Sequence, residues 1–284
     1  MSIFIIAIPV LFLYVTGYRI GKGYSLVTTG GIYIHPWNIR GDVYINNKPI
    51  SQTTFLQKDH LIQSLMPNTY TIELARDGYS SWKKNVSVHK QIVTEISPFL
   101  ITKNPETADI PKTITDPKQP KSKGVANPLF KKIELLFLPT DPSEAILVDG
   151  APPITKDGEL KEDYIVYRKM ALWKQKNIIY AEWTGEPDYI PSYFCESELR
   201  TSCKTTITVI PNAKNITRFE FYPGRDDIMI AALPDGLYAT ELDTRSTQNS
   251  ARIFEGKNLD FRIKGGDILY AKKNAETFVE ITVE

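Results

Sequence analysis

Apolar residues are distributed along this chain in three ways: an unbroken run at the start, period-two alternation over two long regions, and a polar stretch between them. The opening run, Ile3 to Val15, reads I-F-I-I-A-I-P-V-L-F-L-Y-V without a charge. From Gly30 the pattern alternates. Ile32 and Ile34, then Val43 and Ile45, recur at the period of half-buried strands. Turn signals punctuate this region at Asn46-Asn47, Pro67-Asn68 and Asp77-Gly78. The segments between them (Tyr70-Thr71-Ile72-Glu73-Leu74, Trp82, Val86-Ser87-Val88 and Ile92 to Ile96) complete six or seven short strands, a small sandwich over residues 30–101.

Residues 102–126 hold four Pro, many Lys and Thr and few apolar residues, which predicts a disordered, extended spacer. Lys118, Lys121 and Lys123 give it a basic cluster. Asn127-Pro128 then signals a helix start, with Asn as cap and Pro at the first helical position. Leu129, Ile133, Leu136 and Phe137 predict one apolar stripe that docks on the β region after it, and Pro139 predicts the end of the helix.

The region after residue 140 repeats a phrase. Asn177-Ile178-Ile179-Tyr180-Ala181, Asp227-Ile228-Met229-Ile230-Ala231 and Asp267-Ile268-Leu269-Tyr270-Ala271 match at spacings of 50 and 40 residues. A strand-like segment precedes each copy, and another comes after at least the last two. Three or four strands per period of this length are the grammar of propeller blades. Three such units are present, or four if Ala145-Ile146-Leu147-Val148 begins one, so the expectation is a partial or atypical propeller, an open stack of sheets, or closure by another chain. An ordinary β-sandwich is the competing reading.

Two resemblances sharpen the picture. Gly41-Asp42-Val43-Tyr44-Ile45-Asn46-Asn47, then Leu65-Met66-Pro67-Asn68-Thr69-Tyr70 and Asp77-Gly78-Tyr79-Ser80-Ser81-Trp82, together resemble a PEGA domain. Gly41-Asp42 stands where that family has Gly-Ala, and Asn47 and Asn68 stand at turn positions usually held by Gly. The resemblance implies a non-catalytic surface module, often extracytoplasmic and tied to the cell envelope. Phe221 to Asp227, with Asp235-Gly236-Leu237-Tyr238 after it, looks like WD-repeat or TolB-type propeller grammar.

Composition narrows the classes. With 42% hydrophobic and 24% charged residues among 284, the chain is globular. Its 34 Lys+Arg balance 33 Asp+Glu, which argues against a nucleic-acid partner. Three His (His35, His60, His89) and two Cys leave no basis for a His- or Cys-rich metal cluster, and no cofactor motif is present. The acidic pairs Asp226-Asp227 and Glu162-Asp163, and Asp141 with Glu144, sit at turn-like positions, where Asp and Glu serve the backbone.

The opening run predicts a membrane anchor over residues 1–18. It is short against the roughly 20 residues a bilayer asks, which a true start upstream would explain. No basic n-region precedes it and no cleavage site comes after it. Arg19 and Lys22 favour a cytoplasmic side for the remainder of the chain. Cys195 and Cys203, eight apart in a hydrophilic loop, favour the opposite, an extracytoplasmic disulfide. Beside them Trp183, Tyr189, Tyr193 and Phe194 gather aromatics on one loop, a candidate binding surface for an envelope protein or polysaccharide, with packing of the loop on its own blade the favoured reading. The sequence therefore predicts an all-β chain with one N-terminal membrane helix, a PEGA-like sandwich (30–101), a spacer (102–126) and a propeller-like domain (127–284). The expected function is non-catalytic extracytoplasmic binding or envelope scaffolding. The alternative is an envelope glycan or peptide hydrolase using acidic residues such as Asp227.

Overall fold

The computed structural model describes residues 2–37, 40–50, 59–115, 124–138, 153–196, 200 and 202–283. It is 50% strand and 11% helix, arranged in several small sheets with no closed barrel. The chain divides into two units, Met1–Leu100 and Ile101–Glu284.

The first unit opens with helix α1 (Ser2–Val15). Fourteen residues rise roughly 21 Å, short of the ~30 Å of a bilayer core. No helix among the described residues is long and apolar enough to cross a membrane, so the expected spanning anchor is not found. Strands β1 (Tyr18–Ile20) and β2 (Leu26–Thr28) pair after it. Seven more strands complete the unit's two main sheets: β3 (Gly30–Ile34), β4 (Asp42–Ile45), β5 (Lys48–Pro49), β6 (His60–Leu65), β7 (Asn68–Ala75), β8 (Trp82–Val88) and β9 (Val93–Ile96). They form a four-stranded sheet, β5-β4-β7-β8, and a three-stranded sheet, β9-β3-β6. Alternation works as predicted in β8, where Trp82, Lys84, Val86 and Val88 are buried and Lys83, Asn85 and Ser87 exposed. Asn46 and Asn47 both adopt positive φ (49° and 62°), the hairpin turn between β4 and β5. Asn68 needs no such freedom, because it already belongs to β7. The β9–β3 pair is parallel, so these strands are not a simple run of hairpins.

The second unit contains three four-stranded antiparallel sheets. The first is β13 (Glu162–Tyr167), β14 (Met170–Gln175), β15 (Ile178–Trp183) and β16 (Thr206–Ile210). The second is β17 (Arg218–Phe221), β18 (Ile228–Leu233), β19 (Gly236–Glu241) and β20 (Ser250–Glu255). The third contains β21 (Asp260–Ile263), β22 (Ile268–Asn274) and β23 (Thr277–Thr282), and takes its fourth strand from far upstream: β10 (Thr107–Pro111) pairs with β23. This corrects the expectation of a disordered spacer over 102–126. Ile110, alone among polar neighbours, is buried in this sheet, and β10 holds an edge, where a terminal Pro is tolerated. Short strands β11 (Thr113–Ile114) and β12 (Val125–Ala126) also pair. Lys118, Lys121, Lys123, Pro139, Asp141, Glu144 and the segment Ala145 to Val148 lie outside the described residues.

The repeated phrases lie on β15, β18 and β22, which sit inside their sheets. Met170, Leu172, Ile179 and Ala181 of the first sheet share one core with Phe219, Phe221, Met229 and Ala231 of the second. Within the second sheet, paired strands β19 and β20 approach closely at Gly236, where a Cβ would stand 2.4 Å from the Phe254 carbonyl oxygen. The far face of the third sheet is covered by helix α2 (Pro128–Glu134) and the turn Leu135–Phe137 after it. Asn127 caps α2, accepting from the Leu129 N–H at 3.0 Å while its Nδ2 donates to the Pro111 carbonyl at 2.8 Å. The buried stripe is shifted from the predicted one. Phe130 and Ile133 are buried, with Leu136 and Phe137 packed beside them, while Leu129 is exposed.

Candidate functional site

Cys195 and Cys203 are disulfide-bonded, as their spacing predicts. The loop closes as two antiparallel runs, with the Glu196 N–H donating to the Ser202 carbonyl at 2.9 Å and the Lys204 N–H to the Phe194 carbonyl at 3.0 Å. The aromatics beside it do not make one exposed surface. Phe194 is buried in the core between the first two sheets, and Trp183 and Tyr193 pack against that core. Trp183 Nε1 donates to the Glu186 carbonyl at 2.9 Å. Burial, and then Asp227, Asp226 and Asp243, push the Tyr193 phenol well above its ordinary pKa. Of the four, Tyr189 alone is exposed. The physical reason is that large aromatics next to a sheet gain most by covering it.

The acidic residues considered for hydrolysis have partners. Asp227 accepts from Arg225 Nε at 2.5 Å and Nη2 at 2.6 Å, a two-point ion pair. Arg168 lies 3.8 Å from Asp226. In the first unit, folding brings together residues distant in sequence. Asp59 accepts from the Tyr33 hydroxyl at 2.7 Å and lies 2.6 Å from His35 Nδ1, and the Tyr33 bond chiefly holds its pKa below the ordinary value. No group of three or more His, Cys, Asp or Glu suited to a metal occurs among the described residues.

Among the described residues, a feature with the shape of a site lies on the outward face of the first sheet, the face opposite the core shared with the second sheet. Cross-strand register places Trp173 opposite Tyr180, and Glu182 opposite Thr206, on that face. The Trp173 and Tyr180 rings stack at 4.3 Å between centroids with an 18° interplanar angle. A short hairpin, Ile154 bridged to Leu160, turns at Lys156 to Gly158 and stands beside them. Gly158 takes φ +81° in that turn, a conformation that suits glycine. Glu159 ties the hairpin to the next turn by accepting from Lys176 Nζ at 2.8 Å and from Gln175.

Together these elements line a cavity of about 520 Å³, with Ile154, Thr155, Lys156, Lys161, Trp173, Glu182, Cys203, Lys204, Thr205 and Thr206 in its walls. The size falls in the range of small-ligand sites, roughly 300–1,000 Å³. Lys161, only 10% exposed, pairs with Glu182 at 2.5 Å. Its ammonium stands 5.2 Å from the Trp173 ring and 5.4 Å from the Tyr164 ring, so the charge is shared between a carboxylate and two π faces. Burial, then the Glu182 charge, raises the Tyr164 pKa. Trp173 is 5% exposed, and its buried Nε1–H has no hydrogen-bond partner among the described residues. Leaving such a donor unmet costs about 1–3 kcal/mol. Sequence reading assigns Trp173 and Tyr180 to strands without distinguishing this face. The signal is the pairing of an outward aromatic on β14 with one on β15, legible only once register is known.

No protein-family model matches this chain, and no curated protein matches it.

Proposed function

We propose that this chain is a non-catalytic, extracytoplasmic binding or scaffolding protein of the cell envelope, attached at a membrane surface. The observation that carries this reading is the Cys195–Cys203 disulfide, since structural disulfides persist in oxidising compartments. The first unit is read as a PEGA-like module, supported by its two small sheets and by the Asn46-Asn47 hairpin at a turn position of that family. The second is read as an open, propeller-like stack, supported by three four-stranded antiparallel sheets whose inner strands carry the repeated phrase.

Attachment is assigned to α1. Ile8, Val10, Leu11, Phe12 and Val15 are all exposed. Tyr14, with the Arg19 guanidinium 3.8 Å from its ring, marks a boundary of the aromatic-and-basic kind favoured where lipid meets water. The binding role belongs to the cavity on the first sheet, where a stacked aromatic pair, an ion pair and two further lysines, Lys156 and Lys204, converge.

The test is mass mapping of the Cys195 and Cys203 peptides, with and without reductant, in membranes of the native host. A bonded pair in the membrane fraction is the expected result. Free, alkylatable thiols there would reverse the assigned side and move the search to cytoplasmic partners.

A further inference from the structure

Resting on the binding reading above, we infer that the cavity on the first sheet recognises an oxyanion-bearing polyhydroxyl ligand, a sugar or polyol carrying a carboxylate or a phosphate. The walls hold donors in excess. Lys156, Lys161 and Lys204 contribute ammonium groups, Thr205 and Thr206 contribute hydroxyls, and Glu182 is the one carboxylate among the lining residues. That carboxylate is already engaged by Lys161 at 2.5 Å. Lys204 has Glu196 at 3.9 Å, a loose pair with both side chains well exposed, which a ligand anion can displace. A site of this kind asks for acceptors.

The choice of a sugar over a peptide rests on the same count. A peptide brings a backbone N–H for nearly every carbonyl, and those donors would meet a wall whose carboxylate is taken. Sugar hydroxyls accept as readily as they donate, and an oxyanion only accepts. Ile154, 57% exposed at the wall, offers an apolar surface to the carbon face of a ring. The Lys161 ammonium is already neutralised by Glu182, so the ligand's charge is assigned to Lys156 and Lys204.

The experiment is calorimetric titration of the full chain, disulfide intact, with a galacturonate oligosaccharide, a glycerol-phosphate oligomer, inorganic phosphate and a neutral maltooligosaccharide. The Trp173 indole cross-peak, assigned by its loss in Trp173→Phe, is tracked by NMR in parallel. The expected result is binding of an acidic oligomer that weakens with added salt. It should weaken by about tenfold or more in the Lys156→Gln/Lys204→Gln double variant, with a shift of the Trp173 indole signal on binding. Preference for galacturonate or for glycerol phosphate identifies the source of the oxyanion. Equal binding of the neutral oligosaccharide, or unchanged affinity in the double variant, overturns the ligand class while leaving a binding protein. Binding of none of the probes overturns it too. Neither result touches the disulfide measurement, by which the location reading stands or falls.

Discussion

The second unit has two differently finished ends. On the third sheet, Tyr270 and Phe278 are sealed under α2, with the Phe278 ring 4.7 Å from Phe130 and 4.9 Å from Phe137. On the first sheet, the outward face keeps Trp173, Tyr180 and the Lys161–Glu182 pair beside a cavity. One end commits its aromatic surface to packing, and the other leaves polar groups to be met by something else. The difference teaches that an aromatic cluster on a sheet does not announce its purpose. The polar atoms around it decide, because apolar neighbours close a face and unmatched donors leave it to a ligand.

The comparison can be broken most forcefully at the sealed end. Phe278→Ala removes a ring that is 1% exposed between two others, and should cost about 3–5 kcal/mol in denaturant unfolding. A loss below about 1 kcal/mol would mean that the α2 seal is not part of the core. At the open end, the disulfide props the wall that Cys203 contributes. Replacing both cysteines by Ser should cost about 2–3 kcal/mol for a loop of separation eight, and should lower affinity for whatever fills the cavity. Lys161→Gln should be milder, about 1–2 kcal/mol, because Glu182 at 22% exposed recovers water when its partner goes. If this substitution cost as much as Phe278→Ala, the two ends would be equivalent and the contrast would fail.

The finest distinction is one of pH. Tyr193, at the core shared by the first two sheets, has a phenol pKa raised by burial and then by neighbouring aspartates. In the unfolded chain it ionises near the ordinary value of 10.0, while in the folded protein it stays protonated beyond that. The unfolded state therefore binds fewer protons above pH 10, and stability should fall with rising pH there and be unaffected by this group below it. Tyr193→Phe should flatten that slope, measured as unfolding midpoints from pH 9 to pH 11.5 (about the window set by the tyrosine pKa).

Much of the β architecture was legible because its cause is local. Alternation along β8 arises from the pleat, and the hairpin after β14 arises from Lys176-Asn177, both at positive φ. The repeated phrase located three inner strands for the same reason: a turn residue leading into buried β-formers is written in a few adjacent positions. The disulfide was legible from spacing. The features that escaped depend on distant pairing. Strand β10 has one buried apolar residue, Ile110, and is ordered by hydrogen bonds to β23 that nothing in its own composition announces. The cavity escaped likewise, since Lys161 meets Glu182 and Trp173 meets Tyr180 only across strands. Phe194 and Tyr193 follow the packing reading of their loop, which folds them inward.

The strand borrowed by the third sheet has a consequence in time. Thr107 faces Ile281 and Pro111 faces Thr277, so about 170 residues separate the partners, a slow closure for a growing chain. While the polypeptide is being made, β10 emerges early, ahead of the strand it pairs with, and so does α2, which rests on the same sheet. The first two sheets have no such delay, because each is built from consecutive strands. In the finished unit this pairing is a latch that joins the beginning of the domain to its final strand. Loss of that strand would unfasten the start of the domain as well as its end.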